Sequence, residues 1–389
     1  MANQVNVGLI GYAFMGRAHS FGYLNARLFY DCKVTPVMKA ICGRSKEAVQ
    51  VAATRYGWES YETHWRKLIQ RDDIDLVDIS TPGNLHAQMA IATAKAGKHI
   101  FCEKPLANTL SDARKMLDAV QKAGVKHMVG FNYRTVPAIA LAKRLIDEGK
   151  IGKIYHWRAQ YLQDWILDPE FPLVWRLDKK ICGSGSLGDL AAHLVDTAHM
   201  LVGEIDSVTS TAETFIKERP LEAGAATLEG LVGRGKSEKK GRVKVDDGVI
   251  TLARFKNGAL GTFEATRFSG GHKNGNFFEI NGDKGSLRFC FEDMNVLEYW
   301  SNDDPSYAQG FRRILATQPD HKFFGAYWPP GHIIGYGETF INGVAEYMDA
   351  FAQNRMPTPN FVDGVKCQAV LEAMTQSWKT RKWEKVAKV

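Results

Sequence analysis

The feature that most constrains the fold is a glycine-rich turn directly after the first apolar run of the chain. The run Val5–Ile10 is typical of a short strand, and Gly11–Gly16, with the sequence GYAFMG, follows it. This spacing gives a tight turn at Gly11, close backbone approach to a pyrophosphate at position 13, and helix–strand packing at Gly16. The pyrophosphate would lie at the N-terminus of the next helix. Ala13 weakens the match, because its methyl group stands where a glycine is usual.

Strand and helix patterns alternate after this turn. The expected strands are Val5–Ile10, Val37–Cys42, Leu76–Ser80, His99–Cys102 and Lys126–Phe131. Alternation of this kind favours a parallel sheet with crossover helices. We therefore expect residues 1–135 to form an α/β Rossmann domain that binds a dinucleotide. The alternative is a glycine-rich packing turn without a ligand.

A lysine follows the fourth of these strands. Glu103-Lys104-Pro105 comes directly after the apolar run His99–Cys102. Open α/β sheets bind ligands at the carboxyl ends of their strands, and the proline restricts the backbone of Lys104 to extended conformations. The position predicts a functional lysine; the alternative is a surface lysine in a strand–helix loop.

The choice of dinucleotide depends on the end of the second strand. An acid is expected there if the ribose hydroxyls of NAD are bound, but Arg44 and Ser45 follow Cys42 and Gly43. These residues favour NADP over NAD; the alternative for Ser45 is an ordinary helix N-cap. The expected cofactor-binding residues of the first domain are Gly11, Ala13, Phe14, Met15, Gly16, Arg44, Ser45, Ser80, Thr81, Pro82 and His86, of which His86 could equally be a packing or capping residue.

Extended runs joined by short turns dominate the second half. The expected strands there are Ile154–Tyr161, Ser207–Phe215, Val249–Phe255, Ala259–Arg267, Phe277–Asn281 and Ser286–Phe291. This pattern predicts an α+β domain over residues 136–389 with a large, mostly antiparallel open sheet. Two helices, over about 337–352 and 363–378, close the chain and could pack back on the first domain.

A carboxylate and an imidazole stand one helical turn apart in the second half. Asp189 and His193 belong to a helical run that follows the glycine-rich segment Gly183–Gly188 and ends at Gly203. Residues four apart lie on one face of a helix, so the aspartate can orient the ring and raise its proton affinity. The pattern predicts an acid–base pair; the alternative is a surface pair or a capped helix.

Aromatic and polar residues cluster at two further places. Gln163 and Trp165 stand close to Tyr161, and His332 and Tyr336 follow Trp328. Rings can cover the apolar face of a sugar while amides bond its hydroxyls, so these clusters predict a carbohydrate platform. The alternative is ordinary core or interface packing.

Composition excludes several classes of function. The chain has 389 residues and a net charge of +7, and its mean hydropathy is −0.26. No apolar run approaches the ~18 residues of a spanning helix, no signal peptide is evident at the N-terminus, and six scattered cysteines suggest reduced thiols rather than a metal site. The densest basic stretch, Arg234–Lys244, is predicted to be a solvated loop, not a nucleic-acid surface. We expect a cytoplasmic protein without a metal, a membrane or a nucleic acid as partner.

The chain resembles the glucose–fructose oxidoreductase/inositol dehydrogenase (Gfo/Idh/MocA) family in its glycine-rich turn, in Glu103-Lys104-Pro105, and in Gly188-Asp189-x-x-x-His193. The resemblance covers nearly the whole chain and implies that Lys104, Asp189 and His193 are catalytic. It also implies a homo-oligomer, a dimer or tetramer, assembled through the open sheet. Within the family, the aromatic clusters are most similar to anhydrosugar dehydrogenases and to sugar or glycoside 3-dehydrogenases. Further residues expected to face the cofactor are Glu103, Asn132, Trp175 and Arg176, and those expected to face the substrate are Tyr133, Gln163, Trp165, His332 and Tyr336.

These features predict oxidation of a secondary hydroxyl on a pyranose sugar, anhydrosugar or glycoside, with a 3-keto product favoured. His193 would remove the hydroxyl proton, Asp189 would hold His193, and Lys104 would donate a hydrogen bond to the same oxygen. One alternative is glycoside cleavage through a transient 3-keto intermediate on tightly bound NAD. Another is an NADP-binding sensor without catalysis.

Overall fold

The computed structural model describes residues 3–222 and 236–389. The chain forms two compact units. The first contains the residues up to Asn132 together with Gly335–Val365, and the second contains Tyr133–Ile334 and Lys366–Val389. The sequence predicts a boundary at residue 135 and a second domain that runs to the C-terminus; in the structure the segment Gly335–Val365 packs within the first unit.

The helices and strands of the described residues are named here in chain order. The α-helices are α1 Phe14–Phe29, α2 Lys46–Tyr56, α3 Trp65–Gln70, α4 His86–Lys95, α5 Leu110–Ala123, α6 Pro137–Asp147, α7 Lys179–Cys182, α8 Ala192–Leu201, α9 Tyr336–Ala352 and α10 Phe361–Thr380. The strands are β1 Asn3–Ile10, β2 Val34–Cys42, β3 Ser60–Glu62, β4 Leu76–Ile79, β5 His99–Cys102, β6 His127–Val129, β7 Ile154–Leu162, β8 Ile205–Glu213, β9 Glu218–Glu222, β10 Lys236–Arg242, β11 Gly248–Phe255, β12 Leu260–Thr266, β13 Gly275–Gly282, β14 Gly285–Cys290, β15 Val296–Ser301, β16 Arg312–Leu315 and β17 Glu384–Lys385. None of the helices described is both long and apolar enough to cross a membrane.

The first unit is built on a parallel sheet. Its described strands lie in the order β3-β2-β1-β4-β5-β6, and every neighbouring pair is parallel. The register pairs Ile10 with Ile79, and Ile79 with Cys102. Consequently the turn at Gly11, the loop at Ser80 and the loop at Lys104 leave the same edge of the sheet. This is the edge at which open parallel sheets bind ligands, so the predicted α/β Rossmann architecture is confirmed.

One strand of this sheet does not follow from the sequence pattern. β3 has only three residues, Ser60–Glu62, all half-buried, and it pairs with the outer side of β2. A run of three residues with serine and glutamate at its ends has too few apolar side chains to be recognised as a strand. It extends the five expected strands at one edge of the sheet.

The second unit contains a mixed, mostly antiparallel sheet. Its nine described strands lie in the order β16-β15-β14-β13-β7-β12-β11-β8-β17. Only β12 and β7 pair in parallel among the pairs described. In β11 the side chains alternate strictly: Val249 and Ala253 are buried, whereas Ile250 and Leu252 are exposed. One face of the sheet is therefore covered by the core of its unit and the other is open, as the sequence predicts.

A separate hairpin stands beside this sheet in the second unit. β9 and β10 pair antiparallel, with Arg242 opposite Glu218. The sequence predicts a solvated loop over Arg234–Lys244, so this prediction is wrong for Lys236–Arg242; Arg234 and Gly235 lie outside the described residues. The strand consists mostly of charged side chains, and pairing with β9 rather than any apolar pattern fixes its conformation.

Candidate active site

The glycine-rich turn has the backbone that the motif requires. Gly11 has a φ of +112°, and a Cβ at this position would lie 2.5 Å from the carbonyl oxygen of Ser80. A Cβ at Gly16 would lie 2.1 Å from the carbonyl oxygen of Gly11. Only glycine fits at these two positions. Ala13 is the N-cap of α1 and makes no side-chain cap, an arrangement that fits an anion at the N–H groups of the first turn.

The end of β2 gives Ser45 a structural role. Its hydroxyl accepts a hydrogen bond from the backbone N–H of Ala48 at 3.3 Å and so caps α2. This is the alternative that the sequence leaves open for Ser45. Arg44 beside it is exposed. A 2′-phosphate contact by either residue stays a prediction.

Residues after β4 face the turn mainly with their backbone. The hydroxyl of Ser80 donates to Oδ1 of Asp78 at 3.0 Å, and that carboxylate is fully buried. The hydroxyl of Thr81 is 3.7 Å from the sulfur of Met89. The sequence predicts that these hydroxyls face the cofactor, and this stays a prediction; the carbonyl oxygen of Ser80 is the atom that lies against Gly11.

Lys104 is half-buried in the loop after β5. The backbone N–H of Glu103 donates to the carbonyl of Ile79 at 2.9 Å, which continues the pairing of β5 with β4. The backbone N–H of Lys104 donates to Oε2 of Glu103 at 3.0 Å, and a cis peptide joins Lys104 to Pro105. The backbone of this lysine is thus tied to the edge of the sheet.

Glu103 makes its contacts inside the first unit. Its side chain is almost fully buried, and Oε1 lies 2.8 Å from Nε2 of His19. Nδ1 of His19 lies 2.7 Å from Oδ2 of Asp78, which also accepts from the Tyr23 hydroxyl at 2.9 Å. The sequence predicts that Glu103 faces the cofactor; its carboxylate contacts His19, and a contact with the cofactor stays a prediction.

The charges around His19 keep its ring protonated. Burial disfavours the charged ring, but the nearby carboxylates of Asp78 and Glu103 outweigh this and raise the pKa of His19 to about 10. The ring is therefore an imidazolium at neutral pH and donates from both nitrogens.

A second histidine holds the other side of the Lys104 loop. Nδ1 of His86 lies 3.0 Å from the carbonyl oxygen of Pro105, and Nε2 lies 2.8 Å from that of Thr81. His86 is buried, and burial lowers its pKa. Both ring nitrogens face backbone carbonyls, so the packing alternative describes His86 better than the predicted cofactor contact.

The helix that carries Asp189 and His193 starts irregularly. The sequence predicts one regular helix, but Leu187–Ala191 forms a π-helical turn before α8. The buried carboxylate of Asp246 accepts hydrogen bonds from the backbone N–H groups of Gly185 and Leu187, both at 2.7 Å. A carboxylate at a helix N-terminus stabilises it, and single π turns are frequent at functional sites.

Asp189 is held by two arginines. Its Oδ2 accepts from Nη2 of Arg267 at 2.7 Å, and its Oδ1 lies 3.9 Å from Nη1 of Arg176. Arg267 is 1% exposed, so this ion pair is largely shielded from water. The sequence pairs this aspartate with His193; two guanidinium groups balance its charge, and the pairing with the imidazole stays a prediction.

His193 packs against two tyrosines of the second unit. Its ring centroid is 4.4 Å from that of Tyr133 and 6.0 Å from that of Tyr161. The two phenol oxygens are 2.5 Å apart. Burial raises the pKa of Tyr133 to about 12, so this phenol is neutral at physiological pH.

The phenols begin a hydrogen-bonded row, called the polar row below, whose members are Tyr133, Tyr161, Asn274, Gln163 and Trp165. Tyr161 donates to Oδ1 of Asn274 at 2.7 Å, and Nε2 of Gln163 donates to the same oxygen at 3.0 Å. The indole N–H of Trp165 donates to Oε1 of Gln163 at 3.0 Å. The row thus joins three predicted substrate residues, Tyr133, Gln163 and Trp165. Aromatic and amide groups in one surface are typical of polar ligand sites.

The segment that carries Trp165 is fixed by a buried arginine that the sequence analysis does not identify. Arg219 on β9 is 0% exposed. Its Nη2 donates to the carbonyl of Ile166 at 2.6 Å, and its Nη1 donates to that of Asp168 at 2.8 Å. Strand β9 therefore supports the Trp165 end of the polar row.

The residues on either side of Tyr133 have separate partners. Arg134 binds Asp196 through two hydrogen bonds of 2.8 and 2.6 Å, and both side chains are largely buried. Nδ2 of Asn132 donates to the hydroxyl of Thr339 at 3.0 Å. These contacts fix the backbone on either side of Tyr133.

The remaining predicted residues have contacts within their own units. The guanidinium of Arg176 lies 4.5 Å from the ring centroid of Trp175, and both belong to the second unit. Nδ1 of the exposed His332 lies 3.0 Å from the carbonyl of Pro329. Tyr336 belongs to the first unit, where its ring is parallel to that of Phe14 at 6.0 Å. No His, Cys, Asp and Glu side chains within the described ranges 3–222 and 236–389 group in threes to hold a metal ion.

Several functional candidates carry no sequence signal. His19 and Asp78 are 59 residues apart, and His19 and Glu103 are 84 apart. Asn274 is 111 residues from Gln163. Such pairs arise only when the sheets form, because no local pattern relates residues so far apart. The position of His19, three residues after Gly16 on α1, is the one hint available.

Comparisons with known proteins agree with this geometry. Residues 5–131 match the model of an oxidoreductase family with an NAD-binding Rossmann fold, and residues 139–288 match the Gfo/Idh/MocA C-terminal domain. Levoglucosan dehydrogenase of Pseudarthrobacter phenanthrenivorans is 45% identical over 388 residues, which cover 99% of each chain. A solved structure of levoglucosan dehydrogenase with NADH and levoglucosan has a TM-score of 0.93 at 43% identity, covering 99% of this chain and 100% of that one. An oxidoreductase domain protein from Kribbella flavida has a TM-score of 0.94 at 49% identity, with both chains fully covered.

These likenesses extend over the whole chain and confirm the resemblance drawn from the motifs. The chain therefore belongs to the Gfo/Idh/MocA family of oxidoreductases, and its first half carries the NAD-binding Rossmann fold of that family.

Proposed function

We propose that this oxidoreductase oxidises a secondary hydroxyl of a pyranose or anhydrosugar, with levoglucosan as the first substrate to test. The observation that carries the proposal is the polar row beside His193, in a chain 45% identical to levoglucosan dehydrogenase. Tyrosine and tryptophan rings can cover the apolar face of a sugar ring. The amides of Gln163 and Asn274 can bond its hydroxyls and so orient one carbon for oxidation.

The proposed mechanism assigns a role to each of three side chains. His193 accepts the proton of the reacting hydroxyl, and Lys104 donates a hydrogen bond to the same oxygen as negative charge develops on it. Asp189, balanced by Arg267, acts as a fixed support of its helix rather than as the base. The dinucleotide would be held by the turn Gly11–Gly16, and when bound it supplies the hydride acceptor. The family resemblance supports the assignment of Lys104 and His193.

The test is an assay of levoglucosan, other pyranoses and glycosides with NAD and NADP separately. Accumulation of reduced nicotinamide, with a ketone at C3 of the product by NMR, is the expected result. Cleavage of a glycoside without net reduction would favour the glycoside-cleaving alternative instead. Absence of turnover with every sugar, despite tight dinucleotide binding, would favour a sensor.

For the cofactor we propose NAD in preference to NADP, although Arg44 favours NADP on sequence grounds. The hydroxyl of Ser45 already caps α2. Arg44 would therefore bind a 2′-phosphate without a second hydrogen bond from Ser45. Three solved structures of levoglucosan dehydrogenase are complexes with NADH. Both observations support NAD.

Arg44→Ala tests this preference. We expect kcat/KM with NAD to change by less than about threefold, and kcat/KM with NADP to fall about tenfold, because one charge-assisted contact is worth roughly 1.5–3 kcal/mol. Steady-state kinetics with both dinucleotides measure the effect, and Lys46→Ala in the first turn of α2 is the matched basic control. A wild-type enzyme with the higher kcat/KM for NADP would overturn the preference.

We also propose that a second copy of the chain covers the open face of the second sheet. Ile250, Leu252 and Leu260 are each about half exposed, at 55%, 49% and 46%, and the strand register places them on one face. Beyond them, Arg288 lies between Glu279 and Glu298 at 3.5 and 3.7 Å. An apolar patch with side chains of both charges around it can contact the same surface of a second copy of the chain.

Leu252→Asp should convert the oligomer to a monomer. A carboxylate in the centre of a buried apolar contact costs several kcal/mol unless it is paired. Size-exclusion chromatography with light scattering measures the mass. Leu28→Asp, at a position 73% exposed on α1, is the control and should keep the wild-type mass. A monomeric wild type, or an unchanged mass for Leu252→Asp, would refute the proposed interface.

A further inference from the structure

The buried contacts of Glu103 give the Lys104 loop a support that the proposed reaction does not itself use. We propose that Asp78, His19 and Glu103 form a latch that fixes the backbone of Lys104, with His19 as a positioning residue. This inference rests on the proposed role of Lys104. The three residues are called the latch below.

The latch connects three elements of the first unit. His19 lies on α1, soon after the glycine-rich turn, while Asp78 is on β4 and Glu103 follows β5. Bonds of 2.7 and 2.8 Å join the ring to the two carboxylates, and Oε2 of Glu103 accepts the N–H of Lys104 at 3.0 Å. A continuous path of hydrogen bonds thus runs from the nucleotide-binding helix to the lysine backbone.

The surroundings leave the latch little freedom. The His19 ring packs at 4.8 Å from Phe101 and 5.5 Å from Phe340, measured between ring centroids. At Gly130 a Cβ would lie only 2.4 Å from Oε1 of Glu103. Tyr23 fixes the far carboxylate. With its neighbours this close, the Glu103 carboxylate has one well-defined position.

The charged groups indicate that the latch positions the Lys104 backbone rather than stabilising the fold. The ring is protonated, as its raised pKa indicates, and it lies between two buried carboxylates. Buried ion networks are frequently no more stabilising than apolar side chains of the same volume. They do fix geometry, because their hydrogen bonds are directional. The last hydrogen bond of this network is made by the backbone N–H of Lys104. The network therefore fixes the position of Lys104, the proposed hydrogen-bond donor.

A matched pair of variants separates positioning from charge. His19→Gln places an amide nitrogen near the position of Nε2 and can keep the bond to Glu103. His19→Asn places its amide nitrogen near Nδ1 and can keep only the bond to Asp78. Both variants remove the same buried cation, so they should lose similar thermal stability. The difference between them isolates the contact with Glu103.

We expect His19→Asn to lower kcat by about tenfold to a hundredfold, since small displacements of a catalytic group have effects of this size. His19→Gln should lower kcat by less than about threefold. The affinity for NAD should be similar in the two His19 variants. His64→Asn, an exposed histidine of the same unit, is the control. Equal loss of kcat in the two His19 variants would overturn the latch.

Hydrogen exchange gives a readout that needs no substrate. In the full-length protein, exchange in the peptide over residues 103–107 should rise about tenfold or more in His19→Asn and stay near wild type in His19→Gln. A rise spread evenly over the first unit in both variants would indicate a merely structural role and refute the proposal. If the wild type oxidises no sugar, the proposed function fails, while the exchange pattern still decides the latch.

Discussion

Replacing Lys104 with methionine should lower kcat by ~10²–10⁴ with levoglucosan and NAD, while binding of the dinucleotide persists. Methionine keeps the length of the side chain but removes the ammonium group, so the reacting oxygen loses a donor when negative charge develops on it. The backbone bonds of Glu103 and Lys104 to the sheet edge do not depend on the ammonium group. The loss should therefore be one of rate rather than of folding.

Steady-state kinetics at saturating sugar, combined with the dissociation constant of NADH from fluorescence titration, measure the two effects separately. Lys95→Met, an exposed lysine in the last turn of α4, is the control and should retain wild-type kcat. Lys104→Arg should not restore the rate, because a planar guanidinium directs its donors differently. Wild-type kcat in Lys104→Met would remove this lysine from the mechanism.

The regular elements of the first unit could be predicted because their patterns are local. Short apolar strands, most of them followed directly by glycine or serine, alternate with helices, and this is sufficient for a parallel sheet. β3 and β10 could not be predicted in this way. The first is three residues long, and the second is rich in lysine; both are strands because a neighbouring strand pairs with them.

The residues of the candidate site also include some with a local sequence signal and some that depend on distant partners. Lys104, Asp189 and His193 stand in contiguous motifs, so the sequence identifies them. His19, Arg267 and Asn274 contribute through partners distant in the chain. Only the folded sheets bring these groups together, and a single sequence carries no record of such pairs.

Two residues predicted to contact the cofactor have local structural roles. Ser45 caps a helix, and the ring nitrogens of His86 lie 3.0 and 2.8 Å from two backbone carbonyl oxygens. In each case the side chain lies against backbone polar groups, and such groups need hydrogen-bond partners in every fold. A polar residue at the start of a helix therefore needs an observed geometry before a ligand is assigned to it.

Asp189 and His193 each have a contact that the motif does not indicate. The four-residue spacing predicts a carboxylate–imidazole pair, which stays a prediction, and the fold adds a contact of 2.7 Å between Asp189 and Arg267. The ring of His193 also packs on Tyr133. The imidazole is the group that the sequence predicts as the base, and it is the group to test.

His193→Gln should lower kcat/KM by ~10²–10⁴, the usual contribution of a general base. Glutamine retains bulk against Tyr133 but cannot accept the hydroxyl proton. In the wild type, kcat/KM should fall as the pH is lowered and His193 becomes protonated, because an imidazolium cannot act as a base. The remaining rate of the variant should lack that fall.

Two further measurements make the test decisive. His64→Asn, at an exposed position of the first unit, should keep both the rate and the pH profile of the wild type. A deuterium isotope effect on the sugar C–H bond should persist in His193→Gln, since hydride transfer still follows loss of the proton. If His193→Gln retained the low-pH decline of the wild type, another group would be the base, and the polar row would be left as a binding surface whose proton acceptor lies elsewhere.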